Sequence, residues 1–226
     1  MTNTSLLLTI AILGGTGKEG KGLAYRWAKA GYKVLIGSRT PPKAIAAAEE
    51  LSDLLGEHIS ITGMSNLDAA EGADIVVLTV PYSAHRATLE SVKDAVQGKL
   101  FVDVTVPLVP PRIRTVQMPE AGSATQEARE ILGDNVQVCA AFQSIPYKHL
   151  LNNDDEICDV LVTGTSPEAR DETIKLVEAA GMNGWDAGPI ENSVVVEGLA
   201  SVLININKKY GSTNAGIQIT GVKKNT

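Results

Sequence analysis

The first half of the chain alternates short apolar runs with longer stretches in which apolar residues recur at helical spacing. Leu6–Leu13, Lys33–Gly37, Ile59–Thr62, Ile75–Val80 and Leu100–Asp103 predict strands, and the unbroken apolar runs among them predict burial on both faces, as in a parallel sheet. Gly17–Ala30 (with Leu23, Trp27 and Ala30 inward), Lys43–Leu55, a short stretch Leu67–Glu71 and Ala84–Val96 predict helices between them. Gly31 and Gly56 stop the first two, and Gly98 follows the fourth. Strands separated by helices of about 10–15 residues imply right-handed βαβ units.

The middle of the chain reads differently. Val106-Pro-Leu-Val-Pro-Pro111 carries three of the 10 prolines and predicts a rigid loop, followed by a polar segment, Arg112–Ser123. Helix Ala124–Leu132 and strand Val136–Ala141 complete the sheet. The pattern then restarts with strand Asp159–Thr163 and helix Ser166–Ala180, opened by Ser166-Pro167-Glu168. A turn, Gly181–Gly188, leads to a long helix, Val194–Lys209, whose closing lysines suit a helix C-terminus. The restart places a boundary near Phe142–Leu150, with a wound α/β domain over 1–142 and a small C-terminal α/β domain over 143–226.

Composition adds few constraints. Hydrophobic residues at 44% and charged residues at 20% are ordinary globular usage, and a net charge of −6 argues against nucleic acid or an anionic membrane as the main partner. Leu6–Leu13 is too short to span a membrane, and Met1–Ser5 has no basic residue to begin a signal peptide, so the cytoplasm is the expected compartment. Cys139 closes an apolar run and reads as a small buried hydrophobe, with no Cys-x-x-Cys pairing to Cys158.

Chemistry enters at the end of the first strand. Gly15-Thr16-Gly17-Lys18-Glu19-Gly20 matches G-x-G-x-x-G between a buried strand and a helix, the context in which that motif binds a dinucleotide. Gly15 would allow the tight turn, Gly17 the approach of a pyrophosphate, and Gly20 close helix–strand packing, while the helix N-terminus supplies free N–H groups. The fold class is therefore α/β, a Rossmann-type doubly wound parallel sheet. The second strand ends in Gly37-Ser38-Arg39, with Lys43 one helical turn on, where an NAD site usually has a carboxylate. A hydroxyl and two cations there select a 2′-phosphate, so the expected cofactor is NADP(H). Val80 and Pro81 fall at the carboxyl edge of the sheet, where they would line the nucleotide; Tyr82 would pack on a ring or cover the edge. His85 reads as helix surface, and His58 and His149 as loop residues without a role. No metal-ligand or hydrolase motif is present.

Taken with Ile36-Gly-Ser-Arg39, the segments Leu13-Gly-Gly-Thr-Gly17, Ile61-Thr-Gly-Met64, Val106-Pro-Leu-Val-Pro110, Ser144-Ile-Pro146 and Asp186-Ala-Gly-Pro-Ile-Glu-Asn-Ser193 resemble the NADPH-dependent coenzyme F420 reductases, in order over nearly the whole chain. The resemblance implies hydride transfer between C5 of an 8-hydroxy-5-deazaflavin, coenzyme F420, and C4 of nicotinamide, in a cleft between the two domains of a homodimer. It places Thr16, Gly17, Lys18 and Glu19 at the pyrophosphate and Ser38, Arg39 and Lys43 at the 2′-phosphate. Ile145 and Pro146 would sit beside the nicotinamide, with Pro107, Leu108, Val109, Ala215, Gly216 and Ile217 near the deazaflavin. Two aligned rings need proximity more than a proton-transfer residue, so no general acid is named. The family often has a His where this chain has Gln143. Two other readings stay open: an NADPH-dependent reductase of a small imine or keto acid, with Lys148, His149 or Asn205 as proton donor, and a non-catalytic NADPH-sensing module.

Overall fold

Apolar β-rich runs assemble into one sheet whose inner strands are largely buried on both faces. The computed structural model describes residues 8–56, 59–151 and 158–222; Leu6, Leu7 and His58, named above, lie outside them. Six strands run parallel: β1 (Thr9–Leu13), β2 (Lys33–Ser38), β3 (Ile61–Ser65), β4 (Ile75–Leu78), β5 (Leu100–Asp103) and β6 (Gln137–Ala140). β7 (Asp159–Gly164) pairs antiparallel with β6, and β8 (Asn183–Pro189) parallel with β7. The order is β3-β2-β1-β4-β5-β6-β7-β8, so the chain reverses its direction of winding between β1 and β4. That switch point leaves a crevice at the carboxyl ends of the strands.

Helices cover both faces: α1 (Lys18–Lys29), α2 (Pro41–Leu55), α3 (Asn66–Glu71), α4 (Tyr82–Val92), α5 (Ala124–Leu132), α6 (Tyr147–Leu151), α7 (Pro167–Ala179) and α8 (Ser193–Tyr210). One apolar cluster gathers Leu23 and Trp27 of α1 with Leu51 of α2 and Leu176 of α7; the other gathers Ala69 of α3, Leu89 of α4 and Ala128 of α5. Trp27 also donates its indole N–H to Leu176 O at 2.8 Å and meets Phe142 edge-on at 5.8 Å. Thus the doubly wound sheet holds, and β7 and β8, which follow the boundary expected near Phe142–Leu150, extend the same sheet.

Several local expectations need correction. Gly181–Gly188, expected as a turn, contains most of β8. Gly184 serves packing: a Cβ there would lie 3.0 Å from Ile174 Cγ2 on α7. Ala30, expected inward, is the exposed C-cap of α1, because the helix ends one residue earlier. The fourth helix starts at Tyr82 and stops at Val92, short of Val96. His149 lies on α6 and is buried. Ser166 does cap α7, its hydroxyl accepting from Ala169 N at 3.1 Å. Cys139 is buried, with its thiol pushed up to about 11 by desolvation.

Candidate functional site

The glycine turn follows β1 directly. Its left-handed residue is Gly14 (φ 73°), not Gly15, so the turn role assigned to Gly15 belongs one position earlier. Gly15 is required for space, since a Cβ on it would lie 2.8 Å from Ile12 O. Gly20 is pressed against the turn, its hypothetical Cβ 2.6 Å from Gly15 Cα and 2.7 Å from Thr79 Oγ1. Gly17 differs: the nearest atom to an added Cβ is Gly14 O at 3.8 Å, so the space above it is open. Gly17 is the N-cap of α1, and no side chain caps that end. The N–H groups of the first turn therefore face the opening, as an anion site requires.

A cleft of about 730 Å³ runs from this turn along the carboxyl edge of the sheet. Of the expected residues, Thr16, Gly17, Lys18, Glu19, Ser38, Arg39, Val80, Pro81, Leu108, Ile145, Pro146 and Ala215 line it. Gly15 and Gly20 lie beneath it as framework, and Lys43, Pro107, Val109, Gly216 and Ile217 do not line it. Lys43 is exposed on the first turn of α2. Gly216 packs against Cys158, where a Cβ would meet the sulfur at 2.9 Å.

At the β2 end, Ser38 Oγ accepts from Thr40 N at 3.1 Å, which leaves its proton free to donate outward beside the exposed Arg39. Asn66, at the start of α3, holds this corner: its Oδ1 accepts from Gly14 N at 3.2 Å. Glu19 is half-buried, and desolvation pushes its carboxyl up to about 8, so at neutral pH it does not set a full negative charge against an anion.

The other end of the cleft is built from the ends of β5 and β6 and from α8. Phe142 takes a left-handed backbone (φ 74°), unusual for a bulky residue, and turns Gln143–Pro146 toward the opening while its ring stays in the core. Ala200, Leu203, Ile204 and Asn207 of α8 form the facing wall. The C-terminal segment folds back over it, tied by Ala215 N to Asn207 Oδ1 at 3.0 Å and by Lys148 Nζ to Thr213 Oγ1 at 3.1 Å.

Sequence reasoning missed this α8 wall, Asn66, and a buried polar group behind the cleft. His85, expected on the helix surface, has no exposed area and sits 2.6 Å from Asp103 Oδ2, with Glu127 Oε2 3.3 Å from its other ring nitrogen. Burial works against its charge, but Asp103 and then Glu127 outweigh it and raise the imidazole pKa. A carboxylate ending a buried strand, as Asp103 does, was the available signal, because such a charge needs a partner. Tyr82 lines the cleft, its ring 5.8 Å from that of His85, and burial with the nearby Glu127 pushes its phenol up to about 12. Among the described residues, no group of three His, Cys, Asp or Glu could hold a metal ion, and no helix is long and apolar enough to cross a membrane.

Comparison with known proteins meets this geometry. Residues 9–107 match the family described as NADP oxidoreductase coenzyme F420-dependent. The F420-dependent NADP reductase of Methanothermobacter marburgensis is 38% identical over 222 residues, covering 95% of this chain and 99% of the relative. That of Methanocaldococcus jannaschii is 36% identical over 224 residues, covering 96% and 100%. A crystal structure described as an F420-dependent NADP-reductase from Arthrobacter sp. FB24 superposes with a TM-score of 0.78 at 26% identity, covering 94% of this chain and 99% of that one. Matched end to end by these reductases, the chain belongs to the family of coenzyme F420-dependent NADP oxidoreductases.

Proposed function

We propose that this chain is an oxidoreductase that moves a hydride between NADP(H) and coenzyme F420. The observation that carries the reading is the two-ended cleft, an anion-ready turn and a cationic corner at β1 and β2 and an apolar ring-sized wall at β5, β6 and α8. Three strand spacings separate β2 from β5, about 14 Å at roughly 4.8 Å per strand, which sets the phosphate corner apart from the ring wall.

The residues present fit both groups. Open space above Gly17, the uncapped first turn of α1, Ser38 and Arg39 suit the pyrophosphate and 2′-phosphate, with Lys43 in reserve on α2. Ile145 and Pro146 would hold the nicotinamide, and Leu108 and Ala215 the deazaflavin; Pro107, Val109, Gly216 and Ile217 adjoin those two in sequence but lie off the cleft wall. When bound, the two cofactors supply the hydride chemistry themselves. The protein's part is to bind the phosphates, align the two planes and keep water out, which apolar Leu108, Ile145, Leu203 and Ile204 can do.

On this reading residues 1–142 form the nucleotide-binding unit and 143–226 the unit that completes the deazaflavin side. A homodimer fits α8: Val195, Val202 and Ile206 are exposed on one face of the helix at spacings of seven and four. Cys139 and Cys158 are both buried and not joined in a disulfide, which suits the reducing cytoplasm.

The imine or keto-acid reading needs a proton donor, and none of Lys148, His149 and Asn205 lines the cleft. The deciding experiment follows loss of deazaflavin absorbance with NADPH beside NADPH consumption with a panel of imines and keto acids. Turnover with the deazaflavin alone is expected. Turnover with the panel alone would move the assignment to the second reading, and NADPH binding without any turnover to a sensing module.

A further inference from the structure

Asp103 is connected to three cleft elements at once. Its Oδ1 accepts from Thr105 N at 2.9 Å, its Oδ2 meets His85 Nε2 at 2.6 Å, and its main-chain oxygen accepts from Gln143 Nε2 at 2.7 Å. Asp103 and His85 are both fully buried, so neither touches a ligand. Their neighbours do line the cleft: Tyr82 and Ala84 beside His85, Thr105 and Val106 after Asp103, and Gln143–Ile145 after β6. The chain of contacts continues outward, since Glu127 faces the second nitrogen of His85 and its Oε1 accepts from Arg86 Nη2 at 2.5 Å.

A buried carboxylate on β5 is costly, and an apolar residue there would pack against the sheet at lower cost. What the pair adds is geometry. It fixes the first turn of α4, the loop after β5 and the loop after β6 relative to one another, and these three segments surround the ring end of the cleft. The phosphate end, at β1 and β2, shares none of these contacts.

We propose that Asp103 and His85 are positioning residues for hydride transfer, setting the spacing of the ring-binding wall without contributing to the hold on the nucleotide's phosphates. The proposal rests on the reading of the cleft given above. It separates two quantities that a merely structural pair would lower together, because misplacing reacting atoms slows chemistry while phosphate contacts still fix affinity.

The test uses His85→Leu, which keeps much of the volume and removes the bond to Asp103, and His85→Gln, whose amide can donate to the same oxygen. Single-turnover hydride transfer, NADPH affinity and thermal unfolding are measured on each protein. His85→Leu is expected to lower the transfer rate on the order of ten- to a hundredfold, with NADPH affinity within about twofold of wild type. His85→Gln is expected to restore most of the rate. If His85→Leu does not fold, Asp103→Asn takes its place, since it keeps an acceptor for Thr105 N while changing the contact to His85; a slowed transfer with unchanged affinity is again expected. An unchanged rate in the folded variant overturns the proposal, as does a loss of rate and affinity in equal proportion. A wild-type protein that binds NADPH yet passes no hydride to the deazaflavin fails the functional reading instead, before any variant is made.

Discussion

Glu197 of α8 accepts hydrogen bonds from both the N–H and the hydroxyl of Thr125, at 3.0 and 2.7 Å, and another from Ala124 N at 2.7 Å. One buried carboxyl thus satisfies the start of α5 and fastens the helix that walls the cleft three residues later, at Ala200. Desolvation nevertheless dominates and, with the charge of Asp103, pushes its pKa up to about 7 against the pull of these bonds. The folded value lies above the ordinary carboxyl value of 4.5. Its contribution to stability is therefore whole below that ordinary value and is lost as pH rises through about 7. Glu19 and His85, both raised, act in the same direction. Urea unfolding from acid to mildly alkaline pH is expected to show a decline, of which Glu197 supplies up to about 3 kcal/mol at 1.36 kcal/mol per pKa unit. Glu197→Gln should remove that share, and an identical slope in the variant contradicts the account.

On the proposed reading, Ser38 and Arg39 set cofactor choice. A hydrogen bond to a charged group contributes roughly 1.5–3 kcal/mol, and about 1.4 kcal/mol is tenfold. Arg39→Ala should raise the Michaelis constant for NADP on the order of ten- to a hundredfold and leave that for NAD nearly unchanged. Steady-state kinetics with both nucleotides decide it, and equal losses would refute the 2′-phosphate corner.

Two glycines of one motif should fail in different ways. Gly17→Val fills open space, so far-UV circular dichroism should stay near wild type while NADPH binding is lost. Gly20→Val drives a side chain into Gly15 and Thr79, so it should lower the melting temperature first. Calorimetric titration beside thermal unfolding separates them. Intact NADPH binding by Gly17→Val would remove the pyrophosphate from this turn.

Ile145 can act only by shape, for it has no polar side-chain atom. Ile145→Gly should slow hydride transfer with little change in NADPH affinity, and Ile145→Trp should block the deazaflavin. Were it merely core, both changes would chiefly lower the melting temperature and leave single-turnover transfer intact; stopped-flow measurement on the same samples tells these apart.

The parallel half of the sheet was legible because fully buried strands leave unbroken apolar runs, and the phosphate end because glycines and cations at fixed spacing state their chemistry locally. β8 was hidden by its own glycines, where Gly184 answers to Ile174 on the preceding helix and not to a turn. At the ring end, Leu108, Ile145, Pro146 and Ala215 came from the family resemblance, while the α8 side was hidden. Leu203 and Ile204 read as ordinary helix residues until α8 is set across the cleft from the loops after β5 and β6, and His85 reads as surface until Asp103 is opposite it. Contacts between residues far apart in sequence leave no periodic trace, so the nucleotide could be inferred from the residues themselves and the α8 wall could not.

Direct transfer between two stacked rings is the central claim, and isotope tracing tests it most directly. NADPH carrying deuterium at the transferred position of C4 is mixed with oxidised F420 under anaerobic single-turnover conditions, and the reduced deazaflavin is examined by mass spectrometry. The account predicts deuterium at C5 of the deazaflavin and a primary isotope effect on the transfer rate. Label lost to solvent, or a deazaflavin left oxidised while NADPH is consumed, would contradict it.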